Sequence, residues 1–180
     1  MQKIIIGLVG EIASGKGTVA NYLIEQHKAV SYRFSTPLRD VLTRMHIELN
    51  RANLQDVSTI LRERFGQDLL AKIIAEDVKK DSSKIIVVDG IRRLADIKYL
   101  QNLPEFKLIY VTADMQLRYE RITKRGENTD DITKTLEDFK KDHLAETELE
   151  IPQVAALANT IISNDNDIKE LYKKIDQIIL

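Results

Sequence analysis

Apolar residues recur along this chain in two rhythms. Short unbroken apolar runs alternate with longer stretches in which apolar residues return every three or four positions. The first rhythm belongs to strands buried on both faces, the second to helices with one buried face. Residues 3–9 carry Ile4-Ile5-Ile6 and end at a glycine, which predicts a buried strand. Lys16–His27 predicts a helix with Val19, Ala20, Leu23 and Ile24 on one face. Residues 29–34 predict a second strand, and Pro37 suits the first turn of a helix reaching about Ile47.

Residues 54–78 keep helical spacing through Leu54, Val57, Leu61, Phe65, Leu69, Ile73, Ala75 and Val78. Gly66 is expected to break this stretch in two, with Asp68 near the start of the second half. Residues 84–89 hold Ile85-Ile86-Val87-Val88, a run that does not alternate and so belongs in the middle of a parallel sheet. A helix is expected to follow to about Leu103. Phe106–Thr112 is the next strand, and Asp114 is placed to cap a helix running to Lys124. Residues 125–132 read as a polar loop and 133–158 as mostly helical, interrupted at Pro152. Thr160–Ser163 is a last short strand, after which Asn164-Asp-Asn-Asp begins a terminal helix. Strand and helix in alternation predict an α/β fold with a five-stranded parallel sheet flanked by helices in three layers. No Pro/Gly/Ser linker divides the 180 residues, so a single domain over 1–180 is expected.

Composition narrows the chemistry. Without cysteine there are no disulfides and no thiolate metal sites. His27, His46 and His143 are far apart and have no ligand spacing. A net charge of −1 provides no field to attract nucleic acid or a membrane surface. No apolar run is long enough to span a bilayer, and Met1-Gln2-Lys3 leads into a strand rather than a signal peptide. A cytoplasmic location is the expectation, and the oligomeric state is left open.

The segment Gly10-Glu11-Ile12-Ala13-Ser14-Gly15-Lys16-Gly17-Thr18 joins the first strand to the first helix. Gly10 and Gly15 permit a tight turn and close approach of backbone to a ligand oxygen. Successive backbone N–H groups there form an anion nest, and the helix start adds its positive dipole end. The Lys16 ammonium can reach the β- and γ-phosphates of a nucleoside triphosphate. A Ser or Thr directly after the lysine would hold Mg²⁺, but here Gly17 intervenes before Thr18.

The Gly-Lys-Gly-Thr loop resembles that of the P-loop nucleoside monophosphate kinases, adenylate kinase among them. The resemblance implies the P-loop NTPase fold, ATP as donor, Mg²⁺ held largely through water, and Thr18 touching a phosphate. Phe34-Ser35-Thr36-Pro37-Leu38-Arg39 is similar to the segment of that family in which Ser/Thr and arginine hold the acceptor phosphate, and a guanidinium fork suits that role. Asp89-Gly90-Ile91-Arg92-Arg93 resembles its Asp-Gly-x-x-Arg stretch, where aspartate orients Mg²⁺ waters and arginine grips the acceptor. Arg93 matches that spacing, whereas Arg92 matches a closer group of archaeal-type proteins, adenylate-kinase-related or dephospho-CoA-kinase-like. That likeness covers nearly the whole chain through Leu61-Arg-Glu-Arg-Phe-Gly66, Val88-Asp-Gly-Ile-Arg92, Arg118-Tyr-Glu-Arg-Ile-Thr-Lys-Arg-Gly126 and Leu157-Ala-Asn-Thr-Ile-Ile-Ser-Asn164.

Arg118, Arg121 and Arg125 share one helix face, where mutual repulsion costs roughly 0.2–0.5 kcal/mol per exposed pair unless an anion sits among them. Arg121 and Arg125 are the candidates to neutralise a transferring phosphoryl group. The expected site is therefore Lys16 with the loop amides on ATP, Asp89 on Mg²⁺ through water, Ser35, Arg39 and Arg92 on the acceptor, and Arg121 and Arg125 on the moving group. Helices over about 37–80 would bind the acceptor, and residues 125–132 would form a short lid. The expected acceptor is a nucleoside or deoxynucleoside monophosphate. Transfer to a hydroxyl, as in dephospho-CoA kinase, is the second reading; the acidic pair that often follows the second strand there is missing here. A nucleotide-dependent assembly ATPase is the third. The acidic stretch 142–150 reads as an exposed helix face or an acceptor-binding edge.

Overall fold

The computed structural model describes residues 3–125, 132, 134–144 and 148–179, with the side chains of Arg51 and Arg125 outside the description. Five strands form one parallel sheet: β1 Ile4–Val9, β2 Val30–Arg33, β3 Ile85–Asp89, β4 Phe106–Thr112 and β5 Thr160–Ser163, in the order β2-β3-β1-β4-β5. β1 and β3 have the unbroken apolar runs that predicted them, whereas β2, Val-Ser-Tyr-Arg, has none. β1 and β3 occupy the centre of the sheet and are apolar on both faces.

Alternate residues of one strand feed different cores. Ile5 and Val9 of β1 join Ile86, Val88 and Leu108 on one face. Ile4, Ile6 and Leu8 join Ile85, Val87, Ile109 and Val111 on the other. The second face is covered by α1 Lys16–His27, through Val19, Ala20 and Leu23, and by α9 Ile168–Ile179, through Leu171, Ile175 and Ile179. The first face is covered by α2 Thr36–Arg44, α4 Leu69–Lys80 and α8 Ile151–Ala155, with α3 Arg51–Phe65 contributing half-buried Leu54, Val57 and Leu61. Full burial of each such side chain contributes about 1.5–3 kcal/mol. These two apolar faces account for the runs that do not alternate.

Gly66 separates α3 from α4 with φ +106, a left-handed conformation that glycine adopts without a Cβ clash. Two stretches are less helical than their spacing suggests. After β3 there is only α5 Leu94–Ile97 and a 3₁₀ turn at Leu100–Asn102. Leu103 precedes Pro104, and a residue before proline is sterically pushed out of the helical region. Between 133 and 158 the described helices are α7 Leu136–Asp142 and α8. Pro152 lies in the first turn of α8 rather than interrupting it, since its missing N–H is harmless there. α6 Met115–Arg125 starts where Asp114 Oδ1 accepts from Gln116 N at 2.8 Å and Leu117 N at 3.3 Å. Among the described residues no helix is long and apolar enough to cross a membrane.

Gly7, in the middle of β1, marks where the packing is tightest. A Cβ there would stand 2.7 Å from Ile91 Cδ1 and from Phe106 Cζ. Gly7→Ala is expected to destabilise the fold by about 1–3 kcal/mol through overpacking. Urea denaturation would show this as a lower midpoint at unchanged slope.

Candidate functional site

β1 ends at Val9, and the chain then turns through residues 10–15 into α1, whose N-terminus has no side-chain cap. The first-turn N–H groups of a helix have no partner within it, so this end offers donors to an anion. Gly10 is required by proximity: a Cβ would lie 2.1 Å from the Val111 carbonyl oxygen. Gly15 has φ +106, and a Cβ there would lie 2.2 Å from Asn164 Nδ2. Ala13 is left-handed at φ 60, strain of order 1 kcal/mol that a loop carries only when its surroundings impose it.

Those surroundings act on the loop's carbonyls. Lys16 Nζ donates to Gly10 O at 2.6 Å and Glu11 O at 2.8 Å. Arg118 Nη1 donates to Ile12 O at 3.2 Å, and Asn164 Nδ2 donates to Ser14 O at 2.9 Å. Tyr110 OH on β4 bonds Glu11 Oε1. Side chains from α1, α6, β4 and the end of β5 therefore hold the loop from behind, with the uncapped amide end of α1 toward the cleft.

The cleft has a volume of about 780 Å³ and is lined by Ile12 to Thr18, Asn21, Asp89, Gly90, Arg92, Arg121, Asn164, Asn166, Ile168 and Leu171. It lies at the carboxyl ends of the strands, where a parallel sheet presents ligands. Asp89 is the last residue of β3, in register with Arg33; its Oδ1 accepts from Gly90 N at 2.8 Å and its Oδ2 lies 3.6 Å from Arg33 Nε. Arg92 Nη1 meets Glu148 Oε1 at 2.5 Å. Arg121 Nη2 donates to Asn164 O at 2.7 Å, while its Nη1 is buried without a hydrogen-bond partner. An unpartnered buried guanidinium N–H is costly, and an anion in the cleft would satisfy it. Lys16 is pulled down to about 8, first by burial and then by Arg92, against the opposing pull of Glu148, Asp89 and Glu11.

The structure thus brings Lys16, Asp89, Arg92, Arg121 and the loop from Ile12 to Thr18 to one cleft. Ser35 is the N-cap residue of α2 and Arg39 lies in its first turn, next to the end of β3 but not among the residues lining the cleft, and Arg39 is exposed. Arg93 lies at the start of α5, where its N–H and that of Arg92 both bond Asp96 Oδ2 at 3.0 Å. Arg118 departs from the expected open face. It is 5% exposed, and its Nε and Nη1 are taken by Ala113 O, Ile12 O and His143 Nε2. Its role is to position the loop. Arg125 ends α6, but its side chain and residues 126–131 of the expected lid lie outside the described residues.

Sequence reasoning missed Asn164 and Glu148. In the sequence Asn164 marks only a family-like ending and the start of a helix, and Glu148 belongs to an acidic stretch that reads as an exposed helix face or an acceptor-binding edge; neither stands there as an individual site residue. Mg²⁺ takes one or two carboxylates along with phosphate oxygens and water. Asp89 suits that need, and among the described residues no three His, Asp or Glu side chains gather into a protein cage.

A family model described as an AAA domain matches residues 6–153. A UPF0200 protein of Sulfurisphaera tokodaii is 33% identical over 175 residues, covering 97% of this chain and 95% of that protein. A UPF0200 protein of Thermococcus gammatolerans is 29% identical, covering 97% and 93%. The crystal structure of TT1252 from Thermus thermophilus superposes with a TM-score of 0.66 at 15% identity, covering 99% of this chain and 97% of that one. Shikimate kinase from Bacteroides thetaiotaomicron gives 0.61 at 10% identity, covering 97% and 96%. At these identities the two structures show a shared fold.

The lowered Lys16 pKa has a consequence for stability with a definite sign. In the unfolded chain Lys16 keeps its proton to about 10.5; in the fold it releases it near 8. Between these values the unfolded state binds more protons, so raising pH favours the fold, by up to about 1.4 kcal/mol per pH unit. Lys16→Met lacks this term. Chemical denaturation should show wild type gaining stability relative to Lys16→Met as pH climbs from about 8 toward 10.5. A constant difference across that window would mean that Lys16 titrates like a solvated lysine.

Proposed function

This chain belongs to the AAA-domain family and to the UPF0200 group, with a P-loop kinase-like fold, and from that premise we propose that it transfers the γ-phosphoryl of ATP to a small phosphate-bearing acceptor, a nucleoside or deoxynucleoside monophosphate. The observation that carries the proposal is the convergence of Lys16, Arg92 and Arg121 with Asp89 on one cleft behind an uncapped helix end. Phosphoryl transfer needs little covalent help from a protein; it needs positioning and positive charge where negative charge spreads. Mg²⁺, when bound, would supply charge neutralisation at the nucleotide's phosphates, and Asp89 would hold it through water.

Each residue has a task that follows from its surroundings. The amides at the start of α1 bind phosphate oxygens, and Thr18 lies in the same first turn. Lys16 leaves the carbonyls of Gly10 and Glu11 to meet the donor phosphates. The buried Arg121 Nη1 is aimed at the transferring group, and Arg125 follows it one turn later on α6. Arg92 takes the acceptor phosphate, with Ser35 and Arg39 flanking it from the start of α2, and α2 to α4 form the acceptor side of a single domain. A phosphate is ionised at neutral pH, so this acceptor needs anchoring rather than a base.

The second reading is transfer to a hydroxyl. It is favoured by fold neighbours that are shikimate kinases, one of them in complex with shikimate. In that reading Asp89, half-buried at the end of β3, accepts the hydroxyl proton.

The test is a screen of AMP, CMP, UMP, GMP, their deoxy forms and dephospho-CoA with labelled ATP. Lys16→Met should abolish transfer. Arg121→Ala should lower turnover by about a hundredfold with little change in the Michaelis constant for either substrate. Arg92→Ala and Arg39→Ala should raise the Michaelis constant for the monophosphate about ten- to a hundredfold at nearly constant ATP affinity. Phosphorylation of dephospho-CoA alone, indifferent to Arg39→Ala, would select the hydroxyl reading. ATP hydrolysis that no acceptor stimulates would select a nucleotide-dependent assembly ATPase.

A further inference from the structure

The acidic stretch 142–150 has no part in the donor chemistry, yet it supplies a buried carboxylate near the cleft. The Glu148 side chain is 5% exposed, and its Oε1 stands 2.5 Å from Arg92 Nη1. Two residues on, Glu150 Oε2 accepts from Leu94 N at 2.9 Å, so the turn before α8 is fastened to 92–94 at two points. Arg92 itself is 47% exposed and lines the cleft. Glu148 is also close enough to raise the Lys16 pKa, so it lies within electrostatic reach of the donor site.

A buried carboxylate needs a cation, and three cations in an unloaded cleft need counter-charge. Glu148 meets both needs while no substrate is present. Once a triphosphate and an acceptor arrive, its charge is surplus. A dianionic phosphate offers the Arg92 guanidinium two oxygens in a plane at higher charge, a stronger partner than one carboxylate oxygen. A neutral hydroxyl offers neither.

We propose that the Glu148 carboxylate is a placeholder for the acceptor's phosphate on Arg92. The acceptor must then bring a dianionic phosphate that displaces Glu148, and this carboxylate sets the threshold for acceptor entry. The proposal rests on the phosphate-acceptor reading above and adds the residue that enforces it.

Glu148→Gln removes the charge and keeps the shape; Glu148→Asp keeps the charge and withdraws it from Arg92, which covers the case in which the amide variant does not fold. Glu150→Gln is the control on the same turn. Calorimetric binding of the monophosphates, with a non-hydrolysable ATP analogue present, is measured beside steady-state transfer. Glu148→Gln should tighten monophosphate binding and lower its Michaelis constant about ten- to a hundredfold, with kcat changed by less than about threefold. Glu148→Asp should fall between it and wild type, and Glu150→Gln should match wild type. Transfer to a monophosphate that persists with unchanged or weakened acceptor binding in both Glu148 variants overturns the placeholder alone. Failure of wild type and every variant to bind any monophosphate, with dephospho-CoA phosphorylated instead, overturns it together with the reading on which it rests.

Discussion

The site depends on how one short loop disposes of its carbonyl oxygens. A chain that turns sharply from a buried strand into a helix must satisfy its backbone acceptors without using up its donors. Here the carbonyls of Gly10 and Glu11 go to Lys16, that of Ile12 to Arg118, and that of Ser14 to Asn164. Those side chains come from α1, from α6 and from the end of β5. The sheet and helices far apart in sequence are therefore needed to hold one turn in a conformation that leaves the start of α1 uncapped. The left-handed Ala13 is the local cost of that arrangement.

Charge is arranged around the same turn. The Lys16 pKa is pushed down to about 8 by burial and by Arg92. Arg121 keeps one buried N–H without a partner, and Arg92 pairs with the buried Glu148. Behind the turn, His143 Nε2 and two backbone carbonyls hold the Arg118 guanidinium in a contact that also packs on Phe139.

Much of the fold was legible because it rests on local rules. Phe106–Thr112 and Thr160–Ser163 have the predicted boundaries, each built around a short apolar stretch, Leu108 to Val111 and Ile161-Ile162. α1 also matches, because it starts where the glycine loop ends. The weaker places were those where tertiary contacts decide. A helix to about Leu103 is expected after β3, but the amides of Arg92 and Arg93 are bound by Asp96, and Leu103 is extended before Pro104. The arginines on α6 looked equivalent in spacing; burial separated Arg118, which holds the loop, from Arg121, which faces the cleft.

By itself the sequence determined the alternation of strands and helices and the glycine loop with its lysine. These are set by neighbours within a few residues, through periodicity, glycine conformations and helix ends. Only the tertiary structure decided which distant side chains share that loop. Asn164 lies 150 residues from Ser14, and Glu148 lies 56 from Arg92. No periodicity encodes such pairs, because they arise from the strand order β2-β3-β1-β4-β5. That order sets the end of β3 beside the loop after β1, with the end of β5 backing it from two strands away.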